Sequence, residues 1–171
     1  MDKTDLQDEL ERLHPASFGW ALWCCDRRRD EAEEVLQASY LKVLEGVACF
    51  DGRASLRTWF FSVVRRTVWE QRRRRWGREL LLGRWLRQQP ALALNPAPDA
   101  ALSNTEESHA LRQALAMLSA RQREVLHLVF YQDLTIEEAA KVLNISVGTA
   151  RTHFERGKAT LRGLLAHEGK P

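Results

Sequence analysis

The sequence predicts an all-α protein of two small helical domains joined by a flexible linker, and three observations carry that prediction. Apolar residues recur at three- and four-residue spacing almost throughout, while no alternating run bounded by turn pairs reaches strand length. Helix-start signatures recur along the chain, each a Ser, Thr or Asp at a cap position, three of them followed three residues later by Glu or Gln. One segment breaks the pattern: Gln89 to Asn104, QPALALNPAPDAALSN, holds three of the five prolines, which fix the backbone out of helix. The boundaries that follow are residues 6–88, a linker over 89–106, and residues 107–168.

In the first domain, Pro15 fits the first turn of a helix containing Phe18, Trp20, Leu22 and Trp23. Asp30 with Glu33 gives an N-cap pattern for the next helix, which runs to about Glu45. Its Ala32, Val35, Leu36, Ser39, Val43 and Val47 form a core stripe and leave Glu34, Gln37 and Lys42 outside it. Ser55 caps a longer helix from Leu56 to about Arg78. Leu56, Trp59, Phe60, Val63, Val64 and Thr67 cluster on its core side, and Phe61, Arg65, Trp69, Arg72 and Trp76 fall opposite, alternating rings and guanidinium groups on an outward face. Such a face suits phosphates and unstacked bases. A solvated arginine face, with Trp69 and Trp76 packed on a neighbouring helix, is the alternative.

The second domain has two capping boxes, Ser119 with Gln122 and Thr135 with Glu138, and a third start at Ser146. A short helix with Ala139 and Ala140, a turn carrying Ile145, and a second capped helix make a helix-turn-helix. Val147, Ala150, Phe154 and Leu161 face inward there, aiming Thr149, Thr152 and Arg156 outward with Arg151, His153 and Lys158 on the flanks. Gly148 and Thr149 are poor helix formers at a helix start, and small residues there let free backbone N–H groups approach phosphate.

Charge is uneven within a chain of 171 residues whose formal net is only +3. Asp51 to Arg87 holds eleven arginines against Asp51, Glu70 and Glu79, a net of about +8, whereas Gln88 to Ala110 has Asp99, Glu106 and Glu107 and neither Lys nor Arg. The 44% hydrophobic content is enough to bury a core. Cys24, Cys25 and Cys49 make no CxxC pair and leave an odd thiol, against a disulfide framework or zinc site and for a reducing compartment. The adjacent Cys24 and Cys25 read as small buried hydrophobes near Trp20 and Trp23, with oxidation sensing as the other reading. A charged start and the lack of any apolar stretch near ~20 residues point to a cytoplasmic protein without a membrane span.

The order of Ala32-Glu33-Glu34-Val35-Leu36-Gln37 with Tyr40-Leu41, then Phe50-Asp51-Gly52-Arg53-Ala54-Ser55-Leu56-Arg57-Thr58-Trp59, a basic helix, an acidic linker and the segments Ser119 to Leu126 and Leu134 to Arg151 resembles an extracytoplasmic-function (ECF) sigma factor of the sigma-70 family. The resemblance covers nearly the whole chain and implies regions 2 and 4 of that family. It implies that Glu34, Gln37, Tyr40 and Leu41 dock core RNA polymerase. It implies that Asp51, Arg53, Ser55, Arg57, Phe61, Arg65, Arg66, Trp69 and Arg72 meet the minus-10 element, where a flipped base is held without ATP. Ser146, Gly148, Thr149, Arg151, Thr152, His153 and Arg156 would meet the minus-35 element in the major groove. Promoter DNA, core RNA polymerase and an anti-sigma factor are the implied partners, with no cofactor, metal or small-molecule substrate. Three positions depart from the family's habit: Ala38 for an acid, Arg66 for Asn, and Glu155 on the recognition helix, which either accepts from a cytosine or, as the favoured reading, pairs with Arg151.

An enzyme reading lacks paired carboxylates, a nucleophile set, a phosphate loop or ligand-spaced His and Cys. His127, on an apolar helix, reads as a core or interface histidine. The competing function is a stand-alone helix-turn-helix regulator that binds duplex DNA without polymerase.

Overall fold

A computed structural model describes residues 3–86, 115 and 117–168; the linker assigned to 89–106 lies outside them. The described residues contain no strand, and the helices are α1 (Lys3–Arg12), α2 (His14–Cys24), α3 (Arg29–Leu44), α4 (Leu56–Leu86), α5 (Ala120–Phe130), α6 (Ile136–Leu143) and α7 (Val147–Glu168). The first four form a bundle and the last three pack on one another.

Pro15 sits in the first turn of α2, where its missing N–H costs no helix bond. The N-cap of α3 is Arg28 rather than Asp30. Asp26 and Arg27 take left-handed backbone, with φ of 53° and 62°, and reverse the chain so tightly that the helix begins before Asp30 is reached. Asp30 and Glu31 instead occupy its first turn, where the positive helix end favours them. Gly46, at φ +72°, follows α3, and Val47 therefore lies off the core stripe and is exposed.

Thr58 N donates to Ser55 Oγ at 3.2 Å, the cap expected for α4. The helix then runs to Leu86, past the expected end near Arg78. Around it the core gathers Trp20 and Ala21 of α2 with Cys25 just past its end, Val35 and Leu36 of α3, and Phe60, Val64 and Val68 of α4 itself. Trp59 and Leu56 are only half-buried, Trp59 lying against Phe50 and Phe60. The buried hydroxyls of Ser39 and Thr67 donate to the carbonyls of Val35 and Val63, so neither side chain enters the core unsatisfied.

Both capping boxes form as spaced, Ser119 with Gln122 and Thr135 with Glu138. Asn144 closes α6 in left-handed backbone, which its short amide side chain tolerates, and that geometry sets the angle into α7. Thr149 N donates to Ser146 Oγ, confirming the third cap. α7 approaches α5 so closely at Gly157 that a Cβ there would meet Leu126 Cδ1 at 2.8 Å.

Candidate nucleic-acid interface

The stripe expected to face outward on α4 is only partly outward. Phe61 is fully buried, its ring 6.0 Å from that of Trp20, whose Nε1 donates to Phe61 O at 3.0 Å. Arg65 donates twice to Glu124 Oε1, both at 3.1 Å, and once to Oε2 at 3.3 Å, with its side chain 11% exposed. Arg72 donates to Cys24 O and Asp26 Oδ2, each at 2.8 Å. Trp69 and Trp76 alone among the five stand open, at 55% and 72%. A helical wheel assumes one packed side, and the first half of α4 has two, with α2 and α3 on one and α6 on another. A helix apolar nearly all round is a buried one. Open Trp69 and Trp76 exclude their packing on a neighbouring helix among the described residues.

Of the remaining residues assigned to minus-10, Asp51, Arg53 and Arg66 are exposed. Asp51 Oδ1 accepts from Arg53 N and its carboxylate pairs with the Arg53 side chain at 3.4 Å. Ser55 Oγ and Thr58 Oγ1 donate to Glu138 Oε1 at 3.4 and 3.2 Å. Arg57 lies over the Phe61 ring and donates through one terminal nitrogen to Gln132 Oε1 at 3.5 Å. Its Nε is buried with no hydrogen-bond partner. Lys141 Nζ donates to Arg53 O at 3.2 Å.

The face assigned to minus-35 is different. Thr149, Arg151, Thr152 and Arg156 are exposed, with Ser146 and Gly148 open at the helix start and His153 half-buried. Thr152 Oγ1 donates to Gly148 O, and Arg151 pairs with Glu137 of α6 at 3.4 Å. The expected Glu155–Arg151 pair is absent: Arg151 leans toward the preceding helix, and Glu155 lies 3.9 Å from Lys158.

Glu34 and Gln37, assigned to polymerase, are exposed on α3. Glu34 lies 3.7 Å from Arg75. Tyr40 is half-buried, its hydroxyl 3.1 Å from His14 Nδ1, and burial pushes that hydroxyl up to about 12. Leu41 is exposed beside Leu44 and Val47, leaving an apolar patch around the end of α3.

Sequence reasoning missed Glu124, Gln132, Glu138 and Lys141 as contacts between the halves. Glu138 carried a signal only for its cap, and nothing in spacing marks the others. His127 does occupy an interface, stacked on Trp20 at 5.6 Å and Trp23 at 4.6 Å. Burial first, then Arg27, lowers its imidazole to about 4. Burial raises both Cys24 and Cys25, Cys25 to about 11, so these thiols stay protonated and poorly nucleophilic.

Residues 10–78 match the family model for sigma-70 region 2, and residues 108–161 that for sigma-70 region 4. The RNA polymerase sigma factor YlaC of Bacillus subtilis (strain 168) is 30% identical over 162 residues, covering 91% of this chain and 91% of that protein. The chain belongs to the sigma-70 family. The ECF RNA polymerase sigma factor SigX of the same organism is 30% identical over 141 residues, spanning 78% of this sigma factor and 70% of SigX. Among solved structures, the sigma factor RpoE in complex with the anti-sigma factor NepR from Bartonella quintana matches with a TM-score of 0.64 and 26% identity, over 95% of this chain and 97% of that one. No helix among the described residues is long and apolar enough to cross a membrane.

Proposed function

We propose that this ECF sigma factor binds core RNA polymerase through residues 6–88, reads minus-35 DNA through residues 107–168, and melts the minus-10 element by capturing an unstacked base. The observation that carries the reading is the face of α7, where a Ser146-capped N-terminus with Thr149, Thr152 and Arg156 stands open to solvent. Groove-facing Arg and Thr on a second helix give direct readout, and a free helix start adds an anion site.

Open Trp69 and Trp76, beside exposed Arg66, Arg73 and Arg74, supply stacking rings and phosphate partners for a displaced strand. Flipping costs a few kcal/mol, which such contacts offset without nucleotide hydrolysis. The exposed Leu41, Leu44 and Val47 with Glu34 and Gln37 suit a protein partner. The factor acts as an initiation factor rather than an enzyme, in the cytoplasm and at the nucleoid when polymerase-bound. Because the similar RpoE is solved with an anti-sigma factor, an anti-sigma protein is the expected regulator.

The test is reconstitution with purified core polymerase on fragmented genomic DNA of the source organism, followed by mapping of RNA 5′ ends. Starts that share upstream elements at minus-35 and minus-10 and that require this chain support the reading. Duplex binding by the chain alone with no initiation would overturn it.

A further inference from the structure

Glu155 stands on the reading face of α7 with its carboxylate open to an outside donor. Ala150 and Phe154 are buried and Gly157 faces Leu126, which fixes the inner side of the helix. At 3.6 residues per turn, Thr152 points close to the opposite direction, and Glu155 and Arg156 lie about 50° to either side of that direction. The carboxylate therefore shares the outward face with the threonine and arginine assigned above to minus-35. The basic residues one turn before and one turn after it are held off. Arg151 leans to Glu137 of α6 at 3.4 Å, while Lys158 keeps its ammonium 5.0 Å from the centre of the Phe154 ring and 3.9 Å from Glu155 Oε2. With its side chain 63% exposed, Glu155 retains lone pairs for a ligand. Resting on the assignment of α7 to minus-35 DNA, we propose that Glu155 is a specificity-determining residue that accepts from the exocyclic amino group of a cytosine in the major groove, and so demands a C·G pair at one position of the element.

An ionised carboxylate is an acceptor with no donor of its own, and that chemistry selects among the bases. In the major groove cytosine shows its N4 amino donor, adenine shows the N6 donor beside the N7 acceptor, thymine shows the O4 acceptor and a methyl, and guanine shows two acceptors, O6 and N7. Adenine attracts one carboxylate oxygen through N6 and repels the other through N7. The expected order at this position is therefore C, then A, with T and G last. Phosphate cannot take the place of the base, because two anions in contact repel. Thr152 and Arg156 can donate to phosphate on any sequence, whereas the carboxylate turns a wrong base into a repulsion. Glu155 thus contributes to discrimination rather than to affinity.

Promoter selection with reconstituted holoenzyme tests the assignment. A template library randomised across the minus-35 element is transcribed by core polymerase carrying the wild type, Glu155→Gln or Glu155→Ala, and the templates that yield transcripts are sequenced. The wild type should favour C over T and G at one position by roughly tenfold, within the range of a good base contact. Glu155→Ala should flatten that position and leave the others as they were. Glu155→Gln should move the preference to A, because an amide both donates and accepts and so meets N6 and N7 together. Asp133→Asn, the same charge change at an exposed position outside α7, should alter no position. A cytosine preference unchanged in both Glu155 variants overturns the proposal. So does a uniform gain across all sequences, which would make the carboxylate a brake on phosphate contact. Binding of the same library by the free chain separates this residue's role from the function it rests on. A wild type that never initiates, but binds duplexes with a Glu155-dependent cytosine, removes the sigma reading and keeps the base contact. Initiation from a defined minus-35 element indifferent to Glu155 keeps the sigma reading and removes the contact.

Discussion

Two helical faces of this sigma factor carry arginines, and the structure treats them in opposite ways. On the first half of α4, Arg57 and Arg65 are turned onto side chains of the other domain and Arg72 onto a backbone carbonyl and Asp26. On α7, Arg156 is exposed, Thr149 and Thr152 are exposed with their hydroxyls bonded only within the first turns of the helix, and Arg151 reaches an exposed carboxylate of its own domain, Glu137. The difference lies in the number of neighbours: α4 is packed from more than one side, whereas α7 is packed on its Ala150 and Phe154 side alone. An arginine's place on a helix therefore fixes its direction, and the surrounding helices decide whether that direction leads to water or to a carboxylate.

The sharpest way to break the contrast is Phe61→Ala. As a fully buried ring against Trp20, Phe61 should cost about 3–5 kcal/mol of folding stability in thermal or denaturant unfolding. An unchanged midpoint with impaired promoter opening would put the ring back on an outward face. On the other helix, Arg156→Ala should leave stability within about 0.5 kcal/mol and relax discrimination at one minus-35 position by ~1–3 kcal/mol, measured by competition among operator variants. Uniform weakening across all sequences would mean that Arg156 contacts phosphate.

His127 offers a pH handle on the covered side alone. Its imidazole titrates near 4 in the folded chain against 6.5 when free, so the unfolded chain binds more protons between those values. The stability it contributes is complete above about pH 6.5 and is lost as pH falls toward 4, amounting to about 2 kcal/mol between pH 7 and pH 5. Denaturant midpoints of the wild type should fall over that window, and those of His127→Phe should fall less. Equal slopes in both would take the ring out of the interface. The smallest expected effect is on stability in Trp76→Ala: its 72%-exposed ring should leave the thermal midpoint nearly unchanged while weakening single-strand binding by ~1–3 kcal/mol.

Sequence alone gave access to whatever local chemistry dictates. The caps at Ser55, Ser119, Thr135 and Ser146 formed because each satisfies backbone N–H groups within its own first turn. The stripe Ala32, Val35, Leu36, Ser39 and Val43 is buried because the helices that cover α3, α2 and α4, belong to its own domain. The helix-turn-helix face followed from the same periodicity. Phe61, Arg65 and Arg72 escaped because their partners lie 41, 59 and 46–48 residues away along the chain, beyond any periodicity. Asp30 failed as a cap because the left-handed pair Asp26 and Arg27 cannot be read from helix-start patterns.

Glu138 closes its own helix cap, accepting from Thr135 N at 2.9 Å, and its other oxygen accepts from Ser55 and Thr58 of the opposite domain. These donors, Thr135 first, hold its carboxyl below the ordinary value. One carboxylate thus joins the first turn of α6 to the first turn of α4 across the two halves, so loosening one set of bonds loosens the other, and such a coupling is reciprocal. Whatever parts the halves should let the first turn of α6 exchange its amide protons faster, and whatever frays that turn should make parting easier. The first turn of the DNA-binding motif therefore serves as a gauge of the separation of the halves, readable by hydrogen exchange at Glu138 N without any label on the DNA or the polymerase.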